Sequence, residues 1–243
     1  MPVTIHGGTG YQLVHTQPLR TTGAFTAQFV QSPEASLLPP AEGGVLGLLA
    51  AAEGRPREAD VSDLAALRFG VRLDQPGRLQ RDFQTAIRRE GSRTKAMPLS
   101  HRFYLADAVF LAAVEGRTEI IHALADALRR PVYPLFLGRR GFPIEGRLLW
   151  GVRDRELEGA LRAEEWLASA RHRSQQGKVV FLPIVMDATE GDEVADTVRD
   201  VPVSYSSERR EYVWRDVVRP HPVRVDNPDG HDRPDFFAAL GGA

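Results

Sequence analysis

Residues 103–114 form a nearly continuous apolar run in which Asp107 is the one charged residue. A run of this kind is typical of a central strand that is buried on both faces of a sheet. Residues 67–73 instead alternate apolar and polar side chains, which predicts a second strand with one buried face. The two segments favour a fold that is built around a β-sheet.

Two helices are predicted from apolar residues at helical spacing. The first ends at Gly54, and the second begins near Thr118, which is its candidate N-cap. Their inner stripes are formed by Val45, Leu48, Leu49 and Ala52 and by Ile121, Leu124 and Leu128. Residues 1–43 show no strong helix or strand. The order of helix, strands and helix predicts an α+β fold with a ferredoxin-like (RRM-type) core.

The chain beyond residue 150 predicts a smaller part that contains β-structure. We expect a helix over 156–170 and strands over 148–152, 179–186 and 212–218. Residues 187–200 hold six acids and one arginine, which is typical of a solvated loop. We therefore expect a core with a hairpin in residues 1–150, and a C-terminal helix and strands in residues 151–243 that pack on it.

The composition excludes several classes of protein. The chain has 243 residues, no cysteine and a formal net charge of −1. Without cysteine it forms no disulfide and no thiolate metal site, which fits a cytoplasmic protein. No apolar run approaches the roughly 20 residues of a membrane span, and no signal peptide is visible. We expect no contact with a membrane.

The strongest local charge lies in residues 78–102, where seven basic residues face two acids. The basic residues are Arg78, Arg81, Arg88, Arg89, Arg93, Lys95 and Arg102. Because the flanks alternate apolar and polar residues, we expect an extended hairpin with a loop at its tip over 87–98. So positive a field is typical of a phosphate-binding surface. Met97, Pro98 and Leu99 add apolar groups of the kind that wedge between stacked bases.

A second basic element is the turn Gly138-Arg139-Arg140-Gly141. Two adjacent arginines cannot both face the core, and glycine allows a ligand to approach the backbone closely. The turn therefore predicts a phosphate contact, and the alternative is a simple exposed turn. Lys95 and Lys178 are the only lysines among 31 basic residues. This excess of arginine has two interpretations, genomic base composition and the suitability of guanidinium groups for phosphates and bases.

Neither a metal site nor a cofactor site is expected. The seven histidines show no pair with metal-ligand spacing, and no dinucleotide or P-loop motif occurs. His101 lies near Tyr104 and Lys95, and these residue types can cleave RNA without a metal by acid–base chemistry on the 2′-hydroxyl. The alternative is that His101 only stacks on a ligand or hydrogen-bonds to it.

Four ordered segments resemble a known family. They are residues 44–52 (GVLGLLAAA), 82–85 (DFQT), 102–110 (RFYLADAVF) and 137–143 (LGRRGFP). In order and spacing they resemble the CasD members of the Cas-five family, RAMP-superfamily subunits of the type I-E CRISPR Cascade complex. The resemblance is best over residues 40–150. It departs in residues 1–40, which lack the family's opening strand and tryptophan, and at Glu42, where the family has a cation.

The resemblance implies a non-catalytic subunit with a ferredoxin-like core and a β-hairpin thumb at about residues 79–102. The thumb would grip the 5′ handle of the CRISPR RNA, and the subunit would cap the backbone filament while a separate endoribonuclease cuts the RNA. The implied partners are the CRISPR RNA, the backbone subunit CasC, the large subunit CasA and target DNA near the 5′ end of the guide.

The candidate RNA-binding residues are Arg81, Arg88, Arg89, Arg93, Lys95, His101, Arg102, Gly138, Arg139 and Arg140. Two other functions remain open at this point. One is a metal-independent endoribonuclease that processes CRISPR repeat RNA through His101, Tyr104 and Lys95. The other is a globular protein with a basic arm and an unrelated partner.

Overall fold

The computed structural model describes residues 20–29, 41–91, 93–98, 100–136 and 147–231, of which 20–29, 80, 82–84, 90, 93 and 100–104 are described by their backbone. Strands within these residues are β1 (Arg20–Phe29), β2 (Arg68–Gln75), β3 (Arg78–Gln84), β4 (Ile87–Glu90), β5 (Arg93–Ala96), β6 (Ser100–Ala106), β7 (Ala108–Arg117), β8 (Leu149–Arg153), β9 (Val179–Leu182), β10 (Ile184–Asp187), β11 (Asp196–Tyr205), β12 (Arg210–Val218) and β13 (Val223–Asp226). Helices are α1 (Glu42–Glu53), α2 (Ser62–Ala65), α3 (Thr118–Arg129), α4 (Leu157–Ala163) and α5 (Ala170–Ser174).

Seven strands form one main sheet in the order β11-β12-β10-β2-β7-β1-β8. Every neighbouring pair in this sheet is antiparallel. The strands β10, β12 and β11 come from the C-terminal part of the chain and join the sheet through β2. The chain is therefore a mixed α/β protein with antiparallel sheets, and both of its halves contribute to the main sheet.

Strand β7 is the centre of the core, as its apolar sequence predicts. Phe110 and Ala112 are buried on the face that α1 and α3 cover. Leu111 and Ala113 are buried on the other face, against Leu157 of α4. Because helices cover both faces, every side chain along this part of the strand is withdrawn from water, and the burial of both faces is confirmed.

The prediction of a single strand over residues 103–114 is wrong in one respect, because the strand is interrupted at Asp107. This residue adopts a left-handed conformation with φ of 58° and separates β6 from β7. Aspartate tolerates that conformation better than most residues that have a side chain. Strand β7 pairs with β1 and β2, whereas β6 pairs with β3 outside the main sheet. The one charged residue of the run thus marks the point where the chain changes sheets.

Residues 78–106, called the arm below, form a long hairpin in two ladders. Strands β3 and β6 pair from Arg78↔Ala106 to Gln84↔Ser100, and β4 and β5 pair from Ile87↔Ala96 to Glu90↔Arg93. The Met97 amide donates a hydrogen bond to the Ala86 carbonyl at 2.8 Å, and this bond connects the two ladders. The loop predicted over 87–98 is therefore wrong. Most residues of this segment are polar by sequence, and those whose side chains are described are exposed, so no apolar alternation marks the two short strands.

No strand is predicted in residues 1–43, and this expectation is also wrong, because β1 lies within the main sheet. Its ten residues pair with β7 along their full length and with β8 from Thr22 to Phe25. The segment RTTGAFTAQF is rich in small residues and has no clear alternation. Its strand conformation is fixed by partners on both sides rather than by its own pattern.

Strand β2 was predicted to have one polar, solvated face, and this is wrong. Arg72 and Asp74 occupy that face, yet they are 0% and 1% exposed. The guanidinium of Arg72 donates to both carboxylate oxygens of Asp74, at 2.7 and 2.8 Å, and to the carbonyls of Leu161, Glu164 and Glu165. All five of its N–H groups are therefore used, which makes burial of the charge tolerable.

The same contacts explain why the helix predicted over residues 156–170 is divided. Helix α4 ends at Ala163, the carbonyls of Glu164 and Glu165 turn to Arg72, and α5 begins at Ala170. The Leu167 amide donates to Asp74 at 2.7 Å in the irregular segment between the helices. The buried ion pair of Arg72 and Asp74 on β2 thus interrupts a segment whose sequence is otherwise typical of a helix.

Three smaller expectations also need correction. The strand predicted over 179–186 is divided at Pro183 into β9, which pairs with β13, and β10, which joins the main sheet. The acidic segment 187–200 is not all a solvated loop, because β11 begins at Asp196 and Asp200 is buried. Thr118 is the first residue of α3 rather than its N-cap, while the predicted inner stripe of that helix is buried.

Candidate nucleic-acid interface

The arm exposes basic side chains on both of its faces near the tip. Arg88 and Lys95 are opposite each other in the β4–β5 ladder, and Arg89 is opposite Thr94. Paired residues share a face and consecutive residues alternate, so Arg88 and Lys95 lie on one face and Arg89 lies on the other. All three side chains are exposed, as is Arg81 farther toward the main sheet. The tip can therefore contact phosphates from either side.

Of the other predicted RNA-binding residues, Arg93, His101 and Arg102 are described by their backbone. Arg93 is opposite Glu90 in the tip ladder, and His101 and Arg102 of β6 are opposite Phe83 and Asp82. Gly138, Arg139 and Arg140 lie outside the described residues. The structure thus brings the predicted residues of 81–102 together on one hairpin, and the contact predicted for the turn at 138–141 stays a prediction.

The apolar groups that were predicted beside the charge are partly placed. Met97 is 40% exposed and Pro98 is also exposed, while Leu99 lies outside the described residues. Sequence reasoning missed Ile87, which is 73% exposed and opposite Ala96 on the same face as Arg89. A large aliphatic side chain exposed to this extent on a charged hairpin is available to contact the face of an unstacked base.

The arm leaves the main sheet between two residues with left-handed backbone. Gly77 has φ of 76° and immediately precedes Arg78, and Asp107 immediately follows the opposite residue, Ala106. A Cβ atom on Gly77 would lie 2.7 Å from the Ala106 carbonyl oxygen, so glycine is needed for the strands to approach. These two positions form the root of the arm.

A partly buried hydrogen-bond network holds the root in place. The Gln75 side chain donates to the Asp107 carbonyl and accepts from the amide and hydroxyl of Ser169, at 3.1 and 3.0 Å. The indole of Trp166 donates to the Asp74 carbonyl at 2.7 Å. Because Asp74 also binds Arg72, the root of the arm and the segment before α5 are anchored to the same end of β2.

A family model described as a CRISPR-associated protein of the Cas5 type matches residues 19–218. The chain belongs to the Cas5 family of CRISPR-associated proteins. The resemblance that the four sequence segments indicate is thus confirmed at the level of the family. The match begins one residue before β1, so the region of this Cas5 chain that matches the family includes the strand that its sequence pattern did not predict.

Two solved structures are similar to this Cas5 chain. One, titled "CRISPR RNA-guided surveillance complex", has a TM-score of 0.60 at 21% identity over 91% of this chain and 97% of the other. The second, titled "Crystal structure of Cas protein", has a TM-score of 0.52 at 28% identity over 88% of this chain and 99% of the other. At 21% identity the first shows a shared fold alone. No curated protein sequence matches the chain.

Glu42, the acid that replaces the expected cation, does not face solvent in this Cas5 protein. It is 1% exposed and lies 2.9 Å from Arg215, which also pairs with Asp187 and Asp200. Burial, the largest cause, and the neighbouring carboxylate of Asp187 raise the pKa of Glu42 to about 8. The residue therefore connects α1 to β10, β11 and β12 and is withdrawn from any surface that could meet RNA.

The described part of this Cas5 chain has neither a cluster of metal-ligating side chains nor a membrane-spanning helix. No group of three or more histidine, aspartate or glutamate side chains there could hold a metal ion. Over the same residues, no helix has both the length and the apolar character needed to cross a bilayer.

Proposed function

We propose that this Cas5 chain is a non-catalytic CRISPR RNA-binding subunit of a Cascade-type surveillance complex. In this proposal it grips the 5′ handle of the CRISPR RNA and caps the backbone filament. The observation that carries the proposal is the arm, a hairpin outside the main sheet with exposed Arg81, Arg88, Arg89 and Lys95. Membership of the Cas5 family supports it.

The arm acts as the thumb of the subunit in this proposal. Arg88 and Lys95 on one face and Arg89 on the other would each neutralise a phosphate of the RNA and release counterions. The exposed Ile87 and Met97 would contact bases, since aliphatic side chains beside cations can separate stacked bases. Arg93, His101, Arg102 and the turn at 138–141 complete the proposed RNA surface.

The core of the subunit is proposed to be ferredoxin-like. Strands β2, β7, β1 and β8 lie side by side in that order and are all antiparallel, and α1 and α3 pack together on one face. This arrangement supports a split βαβ core in which the arm replaces the turn between the second and third strands. Residues 1–150 would then form the RNA-gripping part, and residues 151–243 would support it.

The finer assignment also belongs to this proposal. We place the chain in the type I-E CasD group of RAMP proteins, with CasC, CasA and target DNA near the 5′ end of the guide as its other partners. The complex would work in the cytoplasm, where the RNA is transcribed. Segments 82–85 and 102–110, which carry part of the resemblance, lie largely within the arm and β7, which supports the assignment.

The endoribonuclease hypothesis gains no support from the register. His101 and Tyr104 are three positions apart on β6, whereas Lys95 belongs to the other ladder, so the strand pairing does not place the three residues opposite one another. Incubation of the purified chain with repeat RNA in EDTA separates the two functions. We expect no defined cut, and a single specific cleavage product would contradict the non-catalytic role.

RNA binding by the arm is tested with two charge-matched variants. Arg89→Ala/Lys95→Ala removes two exposed charges from the tip, and Arg57→Ala/Arg130→Ala removes two exposed charges outside the arm. We expect the arm variant to bind CRISPR repeat RNA more weakly, with a salt-dependence slope smaller by about 1–2, because two phosphate contacts are lost. Equal affinities and slopes for the two variants would contradict the proposal.

A further inference from the structure

A cleft of about 290 Å³ opens at the root of the arm, outside the surface that the proposed function uses. One wall consists of Gln75, Pro76, Gly77, Arg78 and Asp107, and the other consists of Ser169, Arg171, His172 and Gln175. Arg78 is the first residue of β3, so the cleft begins where the arm leaves the main sheet. The second wall lies more than 60 residues farther along the sequence, in and beside α5.

Both walls are anchored to the same partly buried network of hydrogen bonds. Gln75 bonds to Asp107 on the first wall and to Ser169 on the second. The hydroxyl of Ser169 in turn accepts a hydrogen bond from the His172 amide at 3.2 Å and so fixes the start of α5. A cleft whose walls are joined by several hydrogen bonds keeps its shape before a ligand arrives, which lowers the entropic cost of binding.

The polar groups of the cleft match the parts of a nucleotide. Arg78 and Arg171 are exposed, and within the described ranges neither forms an ion pair, so both guanidinium groups are available to a phosphate. Gln175 and the exposed carboxylate of Asp107 can pair with the edge of a base. Burial lowers the pKa of His172, which favours a neutral imidazole that can stack or hydrogen-bond.

The size and position of the cleft limit what it can hold. Its volume is at the lower end of the roughly 300–1,000 Å³ that is usual for ligand pockets, which leaves room for one nucleotide rather than a helix. Arg81 lies three residues beyond Arg78 on β3, about 10 Å along the strand. Because residues three positions apart project from opposite faces of a strand, Arg81 lies on the other face of β3, and the cleft adjoins the base of the arm without forming one surface with Arg81.

We propose that the root cleft is a subsite for a single unstacked nucleotide of the bound RNA. Its phosphate lies between Arg78 and Arg171, and its base edge contacts Gln175 and Asp107. This inference rests on the proposed function, because the nucleotide belongs to the RNA that the arm holds. It adds a second contact region, contributed by α5, to a site that otherwise lies within the hairpin.

The test uses the full chain and labelled CRISPR repeat RNA. Arg171→Ala/Gln175→Ala removes two exposed side chains from α5 and its end, and Arg57→Ala is the control at an exposed arginine elsewhere. We measure affinity and the 2′-hydroxyl acylation of each nucleotide in the complex. We expect about a tenfold loss of affinity for the cleft variant, with increased reactivity at one or two nucleotides and unchanged protection of the others.

The outcomes separate this inference from the proposed function. Wild-type chain that protects RNA, together with a cleft variant whose affinity and protection pattern equal those of Arg57→Ala, would overturn the root subsite alone. Uniform loss of protection along the RNA in the cleft variant would also overturn it, because a subsite affects one position. Wild-type chain that protects no nucleotide would overturn both proposals.

Discussion

At the residue scale, two arginines of the described chain show how buried charge can be stabilised or left unbalanced. Arg72 faces one carboxylate and three carbonyls, so its charge is matched and all its donors are used. Arg215 instead faces three carboxylates, those of Glu42, Asp187 and Asp200. Burial, followed by the neighbouring carboxylate of Asp187, raises the pKa of Glu42 to about 8, and burial also raises the pKa of Asp187.

Glu42 should therefore make the folded chain less stable as pH rises. Its pKa is about 8 in the folded state against an ordinary value of 4.5, so the folded chain binds more protons than the unfolded chain between these two pH values. The free energy of unfolding then falls through that interval and levels off above pH 8. We expect Glu42→Gln, which cannot ionise, to reduce this fall by about 2–4 kcal/mol in urea denaturation.

The control for this experiment is Glu58→Gln, a substitution at an exposed acid. It should follow the wild-type pH dependence within about 0.5 kcal/mol. Asp187 adds a smaller fall of the same sign, so some pH dependence remains in Glu42→Gln. A variant at position 42 whose stability falls as steeply as that of the wild type between pH 5 and 8 would show that Glu42 is already ionised in the folded chain.

At the scale of elements, the arm depends on a backbone change at its root. Gly77 and Asp107 adopt left-handed conformations side by side, and this allows β3 and β6 to leave the sheet that contains β2 and β7. Gly91, at the tip turn, has a similar φ of 63°, but a Cβ atom there would meet nothing within 4 Å. A side chain at Gly91 would therefore cost stability through its backbone conformation alone, whereas a side chain at Gly77 would cost stability through both conformation and a steric clash.

Gly77→Ala should be clearly more destabilising than Gly91→Ala. Both introduce a side chain at positive φ, which costs about 1–2 kcal/mol. At Gly77 the new Cβ would also lie 2.7 Å from the Ala106 carbonyl oxygen and 2.8 Å from the Ala108 Cβ, so backbone must move. We expect about 2–4 kcal/mol for Gly77→Ala by thermal or urea unfolding, and weaker RNA binding. Equal losses for the two variants would contradict a tight root.

At the scale of the whole molecule, the C-terminal part is held against the sheet by contacts from β2. Arg72 and Asp74 together bind the chain at Leu161, Glu164, Glu165 and Leu167. Strands β10, β12 and β11 extend the main sheet from the other edge of β2. One short strand therefore joins the central sheet, the divided helix and the C-terminal strands.

Removal of Arg72 should destabilise the whole chain rather than one loop. Arg72→Ala leaves Asp74 buried without its cation and three carbonyls without a donor, so we expect a loss of about 3–5 kcal/mol in urea denaturation. Arg57→Ala, at an exposed site, should change stability by less than about 0.5 kcal/mol. The double variant Arg72→Ala/Asp74→Ala should lose less than the sum of the single losses. A loss below about 1 kcal/mol in Arg72→Ala would contradict this role.

The sequence by itself determined the elements whose pattern is local. The apolar residues after Asp107, the inner stripe of α3 and the glycine at the end of α1 predicted correctly where β7 and these two helices lie. Charge alone located the basic side chains that the arm exposes. Each of these signals depends on neighbours within one or two turns of helix or a few residues of strand, so no distant partner was needed.

Tertiary structure decided what depends on distant partners. Strand β1 forms because β7 and β8 flank it, and the helix at 156–170 divides because Arg72 binds its carbonyls. Glu42 is buried against Arg215, which lies on a strand far along the sequence. The root cleft likewise joins Arg78 to Arg171. Hydrogen bonds and ion pairs between residues far apart in the sequence leave no periodic signal, so only the folded chain shows them.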